Sequence, residues 1–124
     1  MPILRFEDAP EFDTFGLHIR GLSSPSRGAI EITSALVQME PGQVIPPHTH
    51  DHEEVVHVLS WRLRFELDGQ VSVFGPGDTA IVNPGSIHSP TCEGPDAARF
   101  VSVMPAGTVR IELDGRRSTI PWGE

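Results

Sequence analysis

Residues 48–57 read His-Thr-His-Asp-His-Glu-Glu-Val-Val-His and hold four of the chain's six histidines beside two adjacent glutamates. Imidazole nitrogen and carboxylate oxygen are the ligands that a borderline or hard divalent cation takes, and here they come just ahead of an apolar run. The pattern predicts a metal site on the rim of a strand. On an extended backbone, side chains two apart share a side, so His48 and His50 point together, and Glu54 rejoins them if the intervening turn keeps phase. Gly42 opens a turn and Pro46-Pro47 hold an extended approach to the first of these ligands. A fourth ligand has to come from elsewhere. His88, which follows an apolar segment and the Pro84-Gly85 turn, is its natural source.

The other groups of the cluster fit this geometry less well. His57 lies three residues beyond Glu54 and so faces the opposite side, as a sheet-exterior or interface residue. His52 and Glu53 fall in the turn between ligands; they are candidates for an acid or base at a pocket mouth, with plain solvation the preferred reading. His18 reads as structural. Cys92 follows an apolar segment with nothing to lower its pKa, and is expected to be a small buried residue.

Strands have to position these ligands. Twelve prolines and twelve glycines punctuate the chain, and no apolar stretch of helical period survives between them, so an all-β domain is expected. Strand candidates fall at residues 17–20, 29–40, 54–60, 62–67, 70–74, 79–83, 99–104 and 108–113, a spacing that suits a sandwich or a closed barrel. Two Asp-Gly pairs, Asp68-Gly69 and Asp114-Gly115, sit between β-rich runs where a type I′ turn favours that dipeptide. Residues 21–28, rich in serine and containing Pro25, read as a surface loop. Strand parity turns Val56 and Val58 inward with Glu54, and sets Leu63, Phe65 and Leu67 on an apolar face against Arg62, Arg64 and Glu66.

Composition bounds the rest. A chain of 124 residues suits one domain spanning 1–124, and a net charge of -8 repels nucleic acid and anionic lipid, so neither is expected as a partner. No basic segment leads into an apolar run at the N-terminus and no stretch reaches membrane-spanning length, which makes the cytoplasm the default expectation. With one cysteine there is no internal disulfide, so a metal must be held by nitrogen and oxygen. All nine basic residues are arginines; without lysine, Schiff-base chemistry and phosphate loops ending in lysine are excluded.

The chain resembles the cupin superfamily, small jelly-roll barrels also described as double-stranded β-helices. The family's first motif, G-x5-H-x-H-x3-E-x6-G, is matched by Gly42, His48, His50 and Glu54, with Trp61 in place of the last glycine. That replacement points to another turn shape in the first hairpin. Its second motif, G-x5-P-x-G-x2-H-x3-N, is matched by Gly77, Gly85 and His88, while Asn83 takes the proline position and Cys92 the asparagine position. The two motifs occupy residues 42–61 and 77–92. The resemblance implies a metal held by His48, His50, Glu54 and His88 inside the barrel.

Three neutral imidazoles and one carboxylate leave an octahedral divalent metal with two open positions, and manganese, iron, nickel, cobalt or zinc would all accept that set. A metal-dependent enzyme acting on a small oxygenated organic molecule is expected, by dioxygenase-like or by Lewis-acid isomerase, lyase or decarboxylase chemistry. The competing class is a non-catalytic cupin module that binds a small ligand or a metal as sensor or store; a metal that only holds the fold together is a third. Phe100 and Met104 are expected among apolar pocket walls. Edge strands and the habit of resembling domains favour a homodimer. Pro121-Trp122 should seal a barrel end or pack across a partner.

Overall fold

A computed structural model describes residues 2–14 and 16–124. Its strands form two six-stranded antiparallel sheets. The first sheet runs β1 (Glu11–Thr14), β2 (Leu17–Ser23), β3 (Ile32–Met39), β10 (Ala98–Pro105), β5 (Glu54–Ser60) and β8 (Thr79–Val82). The second runs β12 (Arg117–Thr119), β11 (Val109–Glu112), β4 (His48–His50), β9 (His88–Thr91), β6 (Leu63–Leu67) and β7 (Gln70–Phe74). The chain changes sheet repeatedly, which makes this all-β structure a jelly roll. The only helices among the described residues are single 3-10 turns at Phe6–Asp8, Pro25–Arg27 and Pro121–Gly123. None is long and apolar enough to cross a membrane.

Period-2 burial builds the interior. On β3, Thr33, Ala35, Val37 and Met39 turn inward, and β10 answers with Ala98, Phe100, Ser102 and Met104. The pair is in unbroken register from Ala98 opposite Met39 to Pro105 opposite Ile32. β5 adds Val56 and Val58, and β6 adds Leu63 and Phe65, as their parity requires. Each such side chain, when fully buried, contributes about 1.5–3 kcal/mol. Cys92, wholly buried, belongs to this core.

Several expectations change in detail. Eight strands become twelve, because β1, β4, β9 and β12 are short and polar and form through backbone pairing rather than through apolar pattern. The segment expected at 29–40 begins only at Ile32. Residues 21–23 belong to β2, so the expected loop starts at Ser24, which is itself buried. Asp68-Gly69 has positive φ at both residues, 48° and 83°, as a type I′ turn needs. Asp114-Gly115 differs. Only Gly115 is left-handed, and its N–H donates to the Glu112 carbonyl, which makes a three-residue loop closed by glycine.

Trp61 holds the corner where the chain leaves the first sheet for the second. Its φ of 60° lies in the left-handed region, so the tryptophan adopts the backbone conformation that a glycine would supply. The indole packs against the core, its N–H donates to the Gly94 carbonyl at 3.2 Å, and the Arg62 guanidinium lies 4.8 Å over the ring.

Candidate metal centre

Three register pairs bring the candidate ligands together. His48 on β4 stands opposite His88 on β9, while His48 and His50 stand opposite Glu112 and Arg110 on β11. Directly opposed residues share a face, so these side chains all turn toward the barrel interior. The turn before β9 is tied to β4, since the Gly85 N–H donates to the His50 carbonyl at 2.9 Å. Glu54 opens β5 in the facing sheet with the same inward parity as Val56.

One ring nitrogen from each of His48, His50 and His88 falls within a set whose members all lie within 4.8 Å of one another. Glu54 stands outside that set but at its border: its Oε1 is 3.2 Å from His88 Nε2 and 3.7 Å from His50 Nε2. The three rings are buried, with centroids 4.2–5.1 Å apart, and Phe65 stacks on His88.

Main-chain carbonyls orient all three imidazoles. His48 Nδ1 lies 2.8 Å from the Pro46 carbonyl, His50 Nδ1 3.0 Å from that of Val109, and His88 Nδ1 3.0 Å from that of Ser86. A carbonyl only accepts, so each Nδ1 carries a proton and Nε2 is the nitrogen left for a cation. Ser102 does the same service for the carboxylate, its hydroxyl donating to Glu54 Oε2 at 2.6 Å.

Electrostatics set matching protonation states. Burial, reinforced by the charges of His88 and Arg110, lowers the pKa of His48 to about 3. Burial also lowers that of His50, against the pull of Glu54. For Glu54, burial alone would raise the pKa; the approach of His88, the charge of His50 and the Ser102 hydroxyl outweigh it, and the carboxyl stays ionised well below its ordinary range. Neutral imidazoles beside a carboxylate are the forms that coordinate a cation.

His88 Nε2 is buried and makes no hydrogen bond, although Glu54 Oε1 lies 3.2 Å away. Such an orphaned atom costs about 1–3 kcal/mol. A cation at Nε2 would satisfy it. The donor set therefore fits a divalent metal.

His48, His50 and Glu54 also form part of the wall of a cavity of about 250 Å³, which Ile19, Val37, Phe100 and Met104 line with apolar surface. Ser118 to Trp122 close another side, so the C-terminal tryptophan covers the barrel end and packs on Phe12. An outer groove of about 360 Å³, over Phe6, Phe12 and His18, holds none of these ligands.

The other candidates lie elsewhere. His52 and Glu53 are exposed in the turn between β4 and β5 and do not line the cavity; His52 Nδ1 sits 3.0 Å from Asp51 Oδ1. His57 is exposed on the outer face, 2.9 Å from the Thr79 hydroxyl. His18 is exposed and paired with Asp13.

Sequence reasoning passed over Ser102 and Arg110. Ser102 shares parity with Phe100 and Met104, which was signal enough to place it inward. Arg110 gave no such signal, because charged residues alternate on outer faces too.

The family model described as "Cupin domain" matches residues 35–104. No curated protein sequence matches. Among solved structures, the polyketide cyclase RemF from Streptomyces resistomycificus is similar, with a TM-score of 0.75 at 22% identity over 85% of this chain and 79% of that one. A sugar phosphate isomerase from a cupin superfamily, from Silicibacter pomeroyi, gives a TM-score of 0.75 at 19% identity over 98% and 95% of the two chains. A predicted oxalate decarboxylase from Thermotoga maritima gives 0.71 at 18% identity over 84% and 98%.

Proposed function

The chain belongs to the cupin domain family, and from that premise we propose that it is a metal-dependent enzyme acting on a small organic molecule through the molecule's oxygen atoms. One observation carries the reading: His48, His50 and Glu54 stand in the wall of a cavity whose other walls are largely apolar. Metal ligands and a ligand-sized pocket share one space. The similar proteins are named for a polyketide cyclase, a sugar phosphate isomerase and a predicted oxalate decarboxylase, which supports Lewis-acid chemistry on oxygenated compounds without choosing the reaction.

In this reading His48, His50 and His88 hold a divalent transition metal through Nε2, with Glu54 as the anionic ligand. When bound, the metal polarises a carbonyl or enolate oxygen. The protein does the remainder. Ser102 holds one Glu54 oxygen and leaves the other turned toward His50 and His88. Ile19, Val37, Phe100 and Met104 exclude water and seat an apolar body.

The test begins with metal analysis of protein purified without added metal and after reconstitution with manganese, iron, cobalt, nickel or zinc. Reconstituted protein is then incubated with enolisable ketones and β-keto acids in deuterated water, with α-proton exchange followed by NMR and oxygen uptake followed by electrode. The expected outcome is one metal per chain, and exchange without oxygen uptake. Absence of any stoichiometric metal would refute the proposal, and oxygen uptake would move it to dioxygenase chemistry.

A further inference from the structure

With the histidines neutral, only Glu54 and Arg110 carry a formal charge among the described residues that line the ligand-bearing cavity. Both charges are met within the protein. Arg110 Nε donates to Glu112 Oε1 at 2.6 Å and Nη2 to the Pro46 carbonyl at 3.4 Å, so its guanidinium is engaged by its own strand and by the approach to β4. Glu54 turns one oxygen to His50 and His88 and accepts the Ser102 hydroxyl on the other. The hydroxyls of Thr14, Ser118 and Thr119 add polarity to the wall without charge.

We propose that the pocket admits ligands with at most one ionised oxygen, held at the histidine cluster, on an otherwise uncharged and apolar frame. The inference rests on the metal-enzyme reading and narrows its substrate class. A divalent cation on three neutral imidazoles and the Glu54 carboxylate keeps one positive charge, which matches one oxygen anion of a ligand. A second anionic group, whether a phosphate or a further carboxylate, would lie against Ile19, Val37, Phe100 and Met104 with no cation left to meet it. Burying an unpaired charge in such a wall is strongly unfavourable. The cavity volume of about 250 Å³ is also below the roughly 300–1,000 Å³ of pockets for drug-sized ligands, which limits the frame to a small one. A small enolisable ketone or lactone satisfies both limits, and a phosphorylated sugar or a dicarboxylate does not.

The probes are 4-nitrobenzohydroxamate and 4-carboxybenzohydroxamate, which share one oxygen-donor head and nearly one shape while only the second has a charged tail. Cobalt-loaded protein is titrated with each, and the visible absorption of the cobalt reports the affinity. The nitro probe should bind about 100-fold more tightly, because the carboxylate tail has to be buried without a partner. That ratio should hold between about 0.1 M and about 1 M sodium chloride, over which the Debye length falls from about 10 Å to about 3 Å. Persistence in salt separates burial in the pocket from repulsion by the chain's net charge of -8. Equal affinities, tighter binding of the carboxylate probe, a ratio that collapses in high salt, or no binding of either probe overturns the proposal. Cobalt content measured before and after the titrations separates the two levels. Cobalt retained alongside any of those four results removes the charge limit alone, whereas a chain that takes up no stoichiometric cobalt removes the metal-enzyme reading and this inference with it.

Discussion

The Ser102 hydroxyl donates to Glu54 Oε2 at 2.6 Å, across from the oxygen that approaches His50 and His88. One carboxylate thus divides its two oxygens between a strand-borne hydroxyl and the histidine cluster. Ser102→Ala should leave one metal bound per chain but weaken it about 10–100-fold, the usual cost of losing a group that orients a ligand. Competition against a graded series of chelators measures this. Unchanged affinity would show that Glu54 needs no such anchor.

Parity separates two histidines of one cluster. His50 is buried with its Nε2 beside Glu54, whereas His57 is exposed and bonded to Thr79. His50→Ala should abolish stoichiometric metal binding, and His57→Ala should leave it intact. Plasma mass spectrometry on both variants checks this; equal loss would contradict the strand geometry.

Trp61 occupies a left-handed backbone position. Substitutions there should invert the usual order, with Trp61→Gly more stable than Trp61→Ala by about 1 kcal/mol, because alanine keeps the strain that glycine escapes. Both variants lose the bond to Gly94 and the indole packing, so both should fall below wild type. Urea unfolding of the three proteins gives the ranking. Alanine matching glycine would mean that the corner relaxes.

Acid should destabilise the metal-free fold over a defined window. Unfolded His48 titrates near 6.5, while in the folded chain it stays neutral down to about pH 3. Between these values the unfolded state binds the extra proton, so stability drops as pH falls, by about 1.4 kcal/mol per pH unit for this one group. His50, also lowered, adds in the same direction below 6.5, and Glu54, lowered from 4.5, adds further below that value. Guanidinium unfolding in EDTA at pH 7, 6, 5 and 4 should show the slope. A flat profile would mean that the buried imidazoles protonate freely.

The strands with apolar alternation, such as Glu54–Ser60 and Leu63–Leu67, were legible because burial on one face writes itself into every second residue. His48–His50 and His88–Thr91 were not. Their side chains serve the interior site rather than a greasy core, and what makes them strands is pairing with β11 and β6, far away in the chain. The convergence of His48, His50, Glu54 and His88 could be anticipated from spacing, since a two-residue period and a motif turn bring them to one place. Arg110 could not, because its inward face depends on the register with His50 rather than on anything local. The Asp114 turn shows the same limit: dipeptide identity suggested a two-residue turn, while the strand register left room for three.

The carbonyls that orient the three histidines belong to Pro46, Ser86 and Val109, and every amino acid brings a carbonyl. Ligand aim is thus indifferent to which side chains stand at those three positions. Cavity walls such as Phe100 and Met104 take no part in these three contacts, so a change of wall leaves each Nδ1 its acceptor and the nitrogens their bearing.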